Sequence, residues 1–169
     1  MLNNIMTEGE CSKLRSLIHH ANNIVLCCHV SPDGDAIGSV LGMAEVLKCM
    51  GKEPVMVVPD QFPDYLQWLP NTEKIVRYDK RSDYVDMVLK IADLVICLDF
   101  NALSRTDDME AALEACTAPR VLIDHHLNPS IACQVCVSHP NMSSASELVF
   151  RVAWQLGLFE LLGRHFATA

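Results

Sequence analysis

Ile24-Val-Leu-Cys-Cys28-His29-Val-Ser-Pro-Asp33-Gly-Asp35 decides how this chain folds. Its first five residues are an unbroken apolar run, the mark of a short strand buried on both faces. The run stops at an imidazole, a proline turn and two carboxylates around a glycine. From Ile37 to Met50 the pattern changes to helical period, with Ile37, Val40, Leu41, Ala44 and Leu47 on one face and Gly51 as C-cap. Strand, polar turn and helix in that order form the opening of a βα unit.

The same alternation recurs on either side. Residues 8–21 carry Cys11, Leu14, Leu17, Ile18 and Ala21 at helical spacing. Strands are expected at Pro54–Pro59, near Ile75 and Val76, at Leu94–Leu98, at Arg120–Ile123 and at Val135–Val137. Helices are expected at Ser82–Ala92, from Thr106 to Cys116 with Asp107 and Asp108 in its first turn, and from Ser144 to about Leu162 behind a capping box closed by Glu147. Such alternation predicts a three-layer α/β/α domain, Rossmann-like, on a mostly parallel sheet of about five strands.

At 169 residues the chain suits one domain. Its formal net charge of −8 argues against a broad basic face for wrapping duplex DNA. That charge leaves room for a phosphorylated ligand, because bound cations invert the local charge of a carboxylate-lined site. Cys27, Cys28 and Cys97 fall inside apolar runs, and MLNNIMTEGE has neither a basic region nor an apolar core of a secretory signal. Reduced thiols in a cytoplasmic protein without a membrane span are expected.

Parallel sheets place ligands outside the carboxyl ends of their strands. The first buried run ends in His29, Asp33 and Asp35, the next in Asp99, and the third in Asp124-His125-His126. In extended chain Asp33 and Asp35 point the same way, with Gly34 permitting the tight path between them. Carboxylates crowded without Lys or Arg repel one another, so cations are the natural remedy. Mixed imidazole and carboxylate donors favour a divalent ion such as Mn²⁺, with Zn²⁺, Co²⁺ and Fe²⁺ as alternatives.

The segment from His29 to Ser39, the isolated Asp99 and the Asp124-His125-His126 triplet resemble the DHH phosphoesterase superfamily, which includes RecJ-like proteins. The likeness is strongest to its oligoribonuclease and 3′-phosphoadenosine-5′-phosphate phosphatase branch. It runs from residue 8 to about residue 162. The resemblance implies that His29, Asp33, Asp35, Asp99 and His125 are metal ligands, with Asp99 bridging two Mn²⁺ ions. It places His126 beside the substrate phosphate, Asp124 behind the histidines and Arg105 against phosphate. It further implies two-metal hydrolysis of a short single-stranded oligonucleotide or a small phosphonucleotide. An inorganic pyrophosphatase or exopolyphosphatase of the same superfamily is the alternative enzyme. A non-catalytic metal- or nucleotide-binding module is the alternative outside catalysis.

In the family a Thr-Asp-Thr-Gly-like motif and a smaller substrate-binding domain follow, where this sequence reaches His165-Phe-Ala-Thr-Ala169. The expectation is therefore a single catalytic domain over residues 1–169, truncated before that motif and weakly active or inactive alone. Other features have plainer readings. Cys133-Gln-Val-Cys136 with His139 lacks a second ligand pair for zinc. Tyr65 and Trp68 are expected to anchor their loop, and Ser143–Glu147 to serve only the helix it opens.

Overall fold

A computed structural model describes residues 3–169; Met1 and Leu2, the start of the N-terminal stretch above, lie outside the described residues. Six strands are interspersed with helices. The first half comprises α1 (Glu8–His20), β1 (Ile24–Cys27), α2 (Gly34–Cys49), β2 (Val55–Val58), β3 (Val76–Arg77) and α3 (Tyr78–Lys90). The second comprises β4 (Leu94–Leu98), α4 (Glu110–Ala115), β5 (Arg120–Asp124), β6 (Val135–Ser138), α5 (Ala145–Gln155) and α6 (Arg164–Thr168).

The strands form one sheet in the order β3-β2-β1-β4-β5-β6. Every neighbouring pair is parallel. Strand residues alternate between two cores, as a pleat of period two requires. Leu26, Ile96 and Ile123 face a core shared with α1, α2 and α5. Val25, Cys27, Val95, Cys97 and Leu122 face the other, closed by Val85 and Leu89 of α3 and Leu113 of α4. Helices thus cover both faces of the sheet, as the apolar runs imply. From β1 the chain winds outward through β2 and β3, then returns to lay β4 against the other side of β1. The order reverses between β1 and β4, and their carboxyl ends open a crevice there.

Six strands form where about five were expected, and the two-residue β3 at the sheet edge lies where a short strand was expected near Ile75 and Val76. The long helix expected to reach Leu162 ends at Gln155, and Gly157 adopts a left-handed conformation (φ 67°) just beyond it. Residues Arg164–Thr168 then form the short α6 against α2. The helix expected from Thr106 starts later. Asp107 has φ 49°, which breaks the turn, so Leu103–Met109 is a 3-10 stretch and the α-helix begins at Glu110. All eight cysteines are free thiols. Among the described residues no helix is long and apolar enough to cross a membrane.

Candidate metal centre

Asp99 sits at the middle of the crevice. It follows β4, has φ 63°, and is only 2% exposed. Left-handed backbone at a non-glycine residue is uncommon, though short polar side chains tolerate it best. The conformation turns the chain sharply off the strand, while its amide donates to Ile123 O at 3.1 Å and holds it against β5. Its Oδ1 is buried and has no hydrogen-bond partner.

Three imidazoles surround that carboxylate. His29 Nε2 lies 3.5 Å from Asp99 Oδ2, His125 Nε2 lies 3.4 Å from Oδ1, and His126 Nδ1 lies 3.7 Å from Oδ1. Two rings are oriented by main-chain carbonyls: His29 Nδ1 contacts Val30 O at 2.7 Å, and His125 Nδ1 contacts Met142 O at 3.3 Å. A carbonyl only accepts, so each Nδ1 carries the proton and donates. In neutral rings both Nε2 lone pairs then face carboxylate oxygens, a repulsive arrangement unless a proton or a metal cation lies between.

The protonation tendencies express the same crowding. Burial pushes the Asp99 carboxyl above its ordinary range, and the charges of Asp35 and Asp33 add to it despite the opposing effect of His29. For His29 burial acts downward, but the contact with Asp99 and the Val30 carbonyl outweigh it and the ring is raised. Burial, with Asp99 and Asp33 close by, pushes the Cys28 thiol far up. That thiol stays protonated and inert beside the cluster.

The two carboxylates after His29 are placed differently from the extended arrangement predicted above. α2 begins at Gly34, three residues early, because Asp33 is its N-cap. Asp33 Oδ1 accepts from the amides of Asp35 at 2.9 Å and Ala36 at 3.0 Å. Asp35 is therefore helical, and its carboxylate crosses to the N-terminus of α5. Its Oδ2 accepts from Ala145 N at 2.8 Å, and its Oδ1 accepts from Ser146 N at 2.8 Å and Ser146 Oγ at 2.6 Å. Asp35 Oδ2 also lies 3.5 Å from His125 Nε2.

Candidate ligand atoms of His29, Asp33 and Asp99 all fall within 4.8 Å of one another, as do those of Asp99, His125 and His126. Asp99 belongs to both groups. Asp35 stands at the edge of the second, and His126, expected beside phosphate, falls within it. Asp124 is fully buried and orients His126, accepting from its Nδ1 at 2.7 Å and its amide at 3.1 Å. Arg105 lies in the 3-10 stretch with an exposed side chain, and its carbonyl accepts from Val30 N at 2.8 Å. Among the described residues its guanidinium joins no ion pair, and the carbonyl contact ties the Arg105 backbone to the loop after His29.

Ser146 is the site residue that sequence reasoning missed. The segment was expected to serve only its own helix, whereas it also clasps Asp35. Ser144 caps α5 by accepting from Glu147 N at 3.0 Å, but the Glu147 carboxylate reaches back to Ser143 rather than Ser144. His139 Nε2 donates to Ile5 O at 2.7 Å, away from Cys133 and Cys136.

Residues 23–168 match the DHH family, N-terminal domain. The chain belongs to this family. A bifunctional oligoribonuclease and PAP phosphatase of Thermus thermophilus is 33% identical over 129 residues, which is 75% of this chain and 35% of the relative. An exopolyphosphatase-related protein of Bacteroides fragilis superposes with a TM-score of 0.95 at 39% identity, over 98% of this chain and 49% of that protein. The DHH chain described here thus spans about a third of the curated relative's length and about half of the solved one's. The high TM-score shows that its six-stranded parallel architecture is shared.

Proposed function

We propose that this DHH domain carries the catalytic centre of a metal-dependent phosphoesterase that hydrolyses short oligonucleotides or small phosphonucleotides. One observation carries the proposal: Asp99 Oδ1 is buried without a hydrogen-bond partner, while imidazole nitrogens approach it at 3.4 and 3.7 Å. An orphaned carboxylate oxygen within a set of nitrogen and oxygen donors fits divalent cations, Mn²⁺ first among them. His29, Asp33 and Asp99 would hold one ion. Asp99 and His125, with Asp35, would hold the second. Bound there, two cations supply Lewis-acid stabilisation of phosphoryl charge and lower the pKa of water.

The chain's own residues do the remaining work. Val30 O and Met142 O fix the tautomers of His29 and His125, so both present Nε2 to the crevice. Asp124 holds the His126 ring through Nδ1, and in the imidazolium form Nε2–H would donate to a phosphate oxygen. Arg105, on an exposed stretch beside Val30, would offer a cation to a phosphate arriving from solvent. Eight free thiols fit a reducing, cytoplasmic setting.

The test is Mn²⁺-dependent release of mononucleotide from a short RNA, run beside 3′-phosphoadenosine-5′-phosphate, pyrophosphate and polyphosphate. Cleavage of the first two supports the proposal. Turnover of pyrophosphate or polyphosphate alone would replace it with the second reading, which the name of the Bacteroides fragilis relative favours. Binding of two ions with no turnover of any of the four would fit both a binding module and the weak or absent activity expected of this domain alone.

A further inference from the structure

We propose that Cys133 and Cys136 are a redox-sensitive modification site, a pair of thiols at the amino end of β6 that an oxidant converts reversibly to a disulfide. β6 lies at the edge of the sheet, and in the pairing register Cys136 stands beside Leu122, which stands beside Cys97. Side chains in such a row project from the same face. Cys97 and Leu122 face the core closed by α3 and α4, and Cys133 packs, half-buried, against that same core. Both thiols of the pair are therefore on one side of the sheet, Cys136 exposed at the edge and Cys133 just inside it.

The backbone holds them together. The chain bends at Gln134 as it enters β6. Gln134 is clamped to the start of β5 twice: its amide donates to Arg120 O at 2.8 Å, and its Oε1 accepts from Arg120 N at 2.6 Å. Across the bend the two thiols are in hydrogen-bonding contact. A disulfide forms readily only where the backbone already turns the two side chains toward each other, and the clamped bend does so. His139, three residues on, is directed to Ile5 O, and among the described residues no third ligand joins the pair in a metal-sized group. Two thiols without further ligands are left to redox chemistry rather than to zinc.

Exposure sets the order of events. Burial, followed by the nearby Cys136, pushes the Cys133 thiol up to about 11, so it stays protonated near neutral pH. Cys136 meets the solvent first. With hydrogen peroxide as oxidant, its sulfur attacks one peroxide oxygen and the O–O bond breaks. That leaves a sulfenic acid on Cys136 and, with the thiol proton, one water. The Cys133 sulfur then attacks the sulfenic sulfur. The S–O bond breaks, the S–S bond forms, and a second water leaves with the Cys133 proton. The two thiols lose two electrons and peroxide gains them. A reduced low-molecular-weight thiol reverses the reaction by thiol–disulfide exchange. In a reducing compartment such a bond is transient, and a transient one reports oxidant. Cys27 and Cys97 also stand side by side in register, but both are sealed in the core and shielded from oxidant.

The test treats the 169-residue chain with hydrogen peroxide and maps its tryptic peptides without reduction. Residues 121–151 fall in one peptide whose only cysteines are Cys133 and Cys136. After oxidation that peptide should be lighter by two hydrogens and closed to alkylation, and reduced glutathione should restore both thiols. Cys133→Ser removes the partner, so Cys136 should then stop at a sulfenic acid captured by dimedone. Two free thiols in that peptide, at a dose that oxidises the exposed Cys49, would overturn the proposal. So would an end product in which Cys136 is bonded to glutathione or to a second chain, since Cys136 would then be reacting alone.

Discussion

Ser146 holds Asp35 through two bonds to one oxygen: its hydroxyl donates to Oδ1 at 2.6 Å and its amide at 2.8 Å. With the Ala145 amide on Oδ2, the carboxylate sits at the positive end of α5. The helix stabilises the anion and turns its remaining surface toward His125.

Ser146→Ala removes the hydroxyl and keeps both amides. Mn²⁺ affinity measured by calorimetry should fall about tenfold, the scale seen when a partner of a metal-binding carboxylate is lost. Unchanged affinity would show that Asp35 contributes to the helix junction rather than to the cation site.

Asp99 should destabilise the chain when cations are removed. Its folded-state pKa is raised, chiefly by burial. Below its unfolded-state value the group is neutral in both states and costs nothing. As pH rises through the folded-state value, the native carboxyl must give up its proton at a cost, and stability is lost. Asp99→Asn keeps the shape and tolerates the left-handed backbone. In EDTA its Tm should exceed the parent's by ~4 °C near neutral pH, with the gap closing toward about pH 4. Added Mn²⁺ should raise the parent's Tm and leave the variant's unmoved. A variant that melts below its parent in EDTA would contradict this account.

Asp124→Asn tests the orientation of His126. The carboxylate accepts from Nδ1, whereas an amide could donate to it and reverse the tautomer. Turnover should fall about 10- to 100-fold while circular dichroism stays unchanged. Retained turnover would make Asp124 a packing residue.

The two glycines on one face of α2 should differ in what they tolerate. A Cβ on Gly38 would stand 2.5 Å from Ala169 O and 3.1 Å from Ser146 Oγ, whereas on Gly42 its nearest neighbour is Val149 Cγ1 at 3.4 Å. Urea unfolding should show Gly38→Ala destabilised by about 1–3 kcal/mol and Gly42→Ala by less, since overpacking costs most where the neighbour is backbone. Equal effects would mean that the α2–α6 contact is soft.

Much of this was legible before any coordinates. Leu94–Leu98 is a strand with the bounds its apolar run implies, and Asp99, His29 and His125 stand at strand ends where the topology brings them together. Local rules failed where partners lie far along the chain or backbone geometry departs from the common regions. Asp33 and Asp35 looked extended, yet Asp33 stays extended as a helix cap and only Asp35 is drawn into the helix. Asp35 meets Ser146 across a separation of 111 residues, which no spacing within either segment encodes. Asp107 broke its helix through a positive φ that its residue type permits but does not announce. Tyr65 and Trp68, expected to anchor their loop, are each 70% exposed, while Leu66 and Leu69 are buried in their place.

The strand order has a kinetic consequence. β1 pairs with β4 across the whole β2–β3–α3 excursion, and Asn23 and Asp93 at the start of that pairing are 70 residues apart. Such contacts form late, because closing a long loop must precede their reward. The ligands on β1, β4 and β5 cannot converge until those three central strands have paired. Cation capture should therefore follow the rate-limiting step of folding, and the appearance of a bound ion would serve as a clock for completion of the native topology.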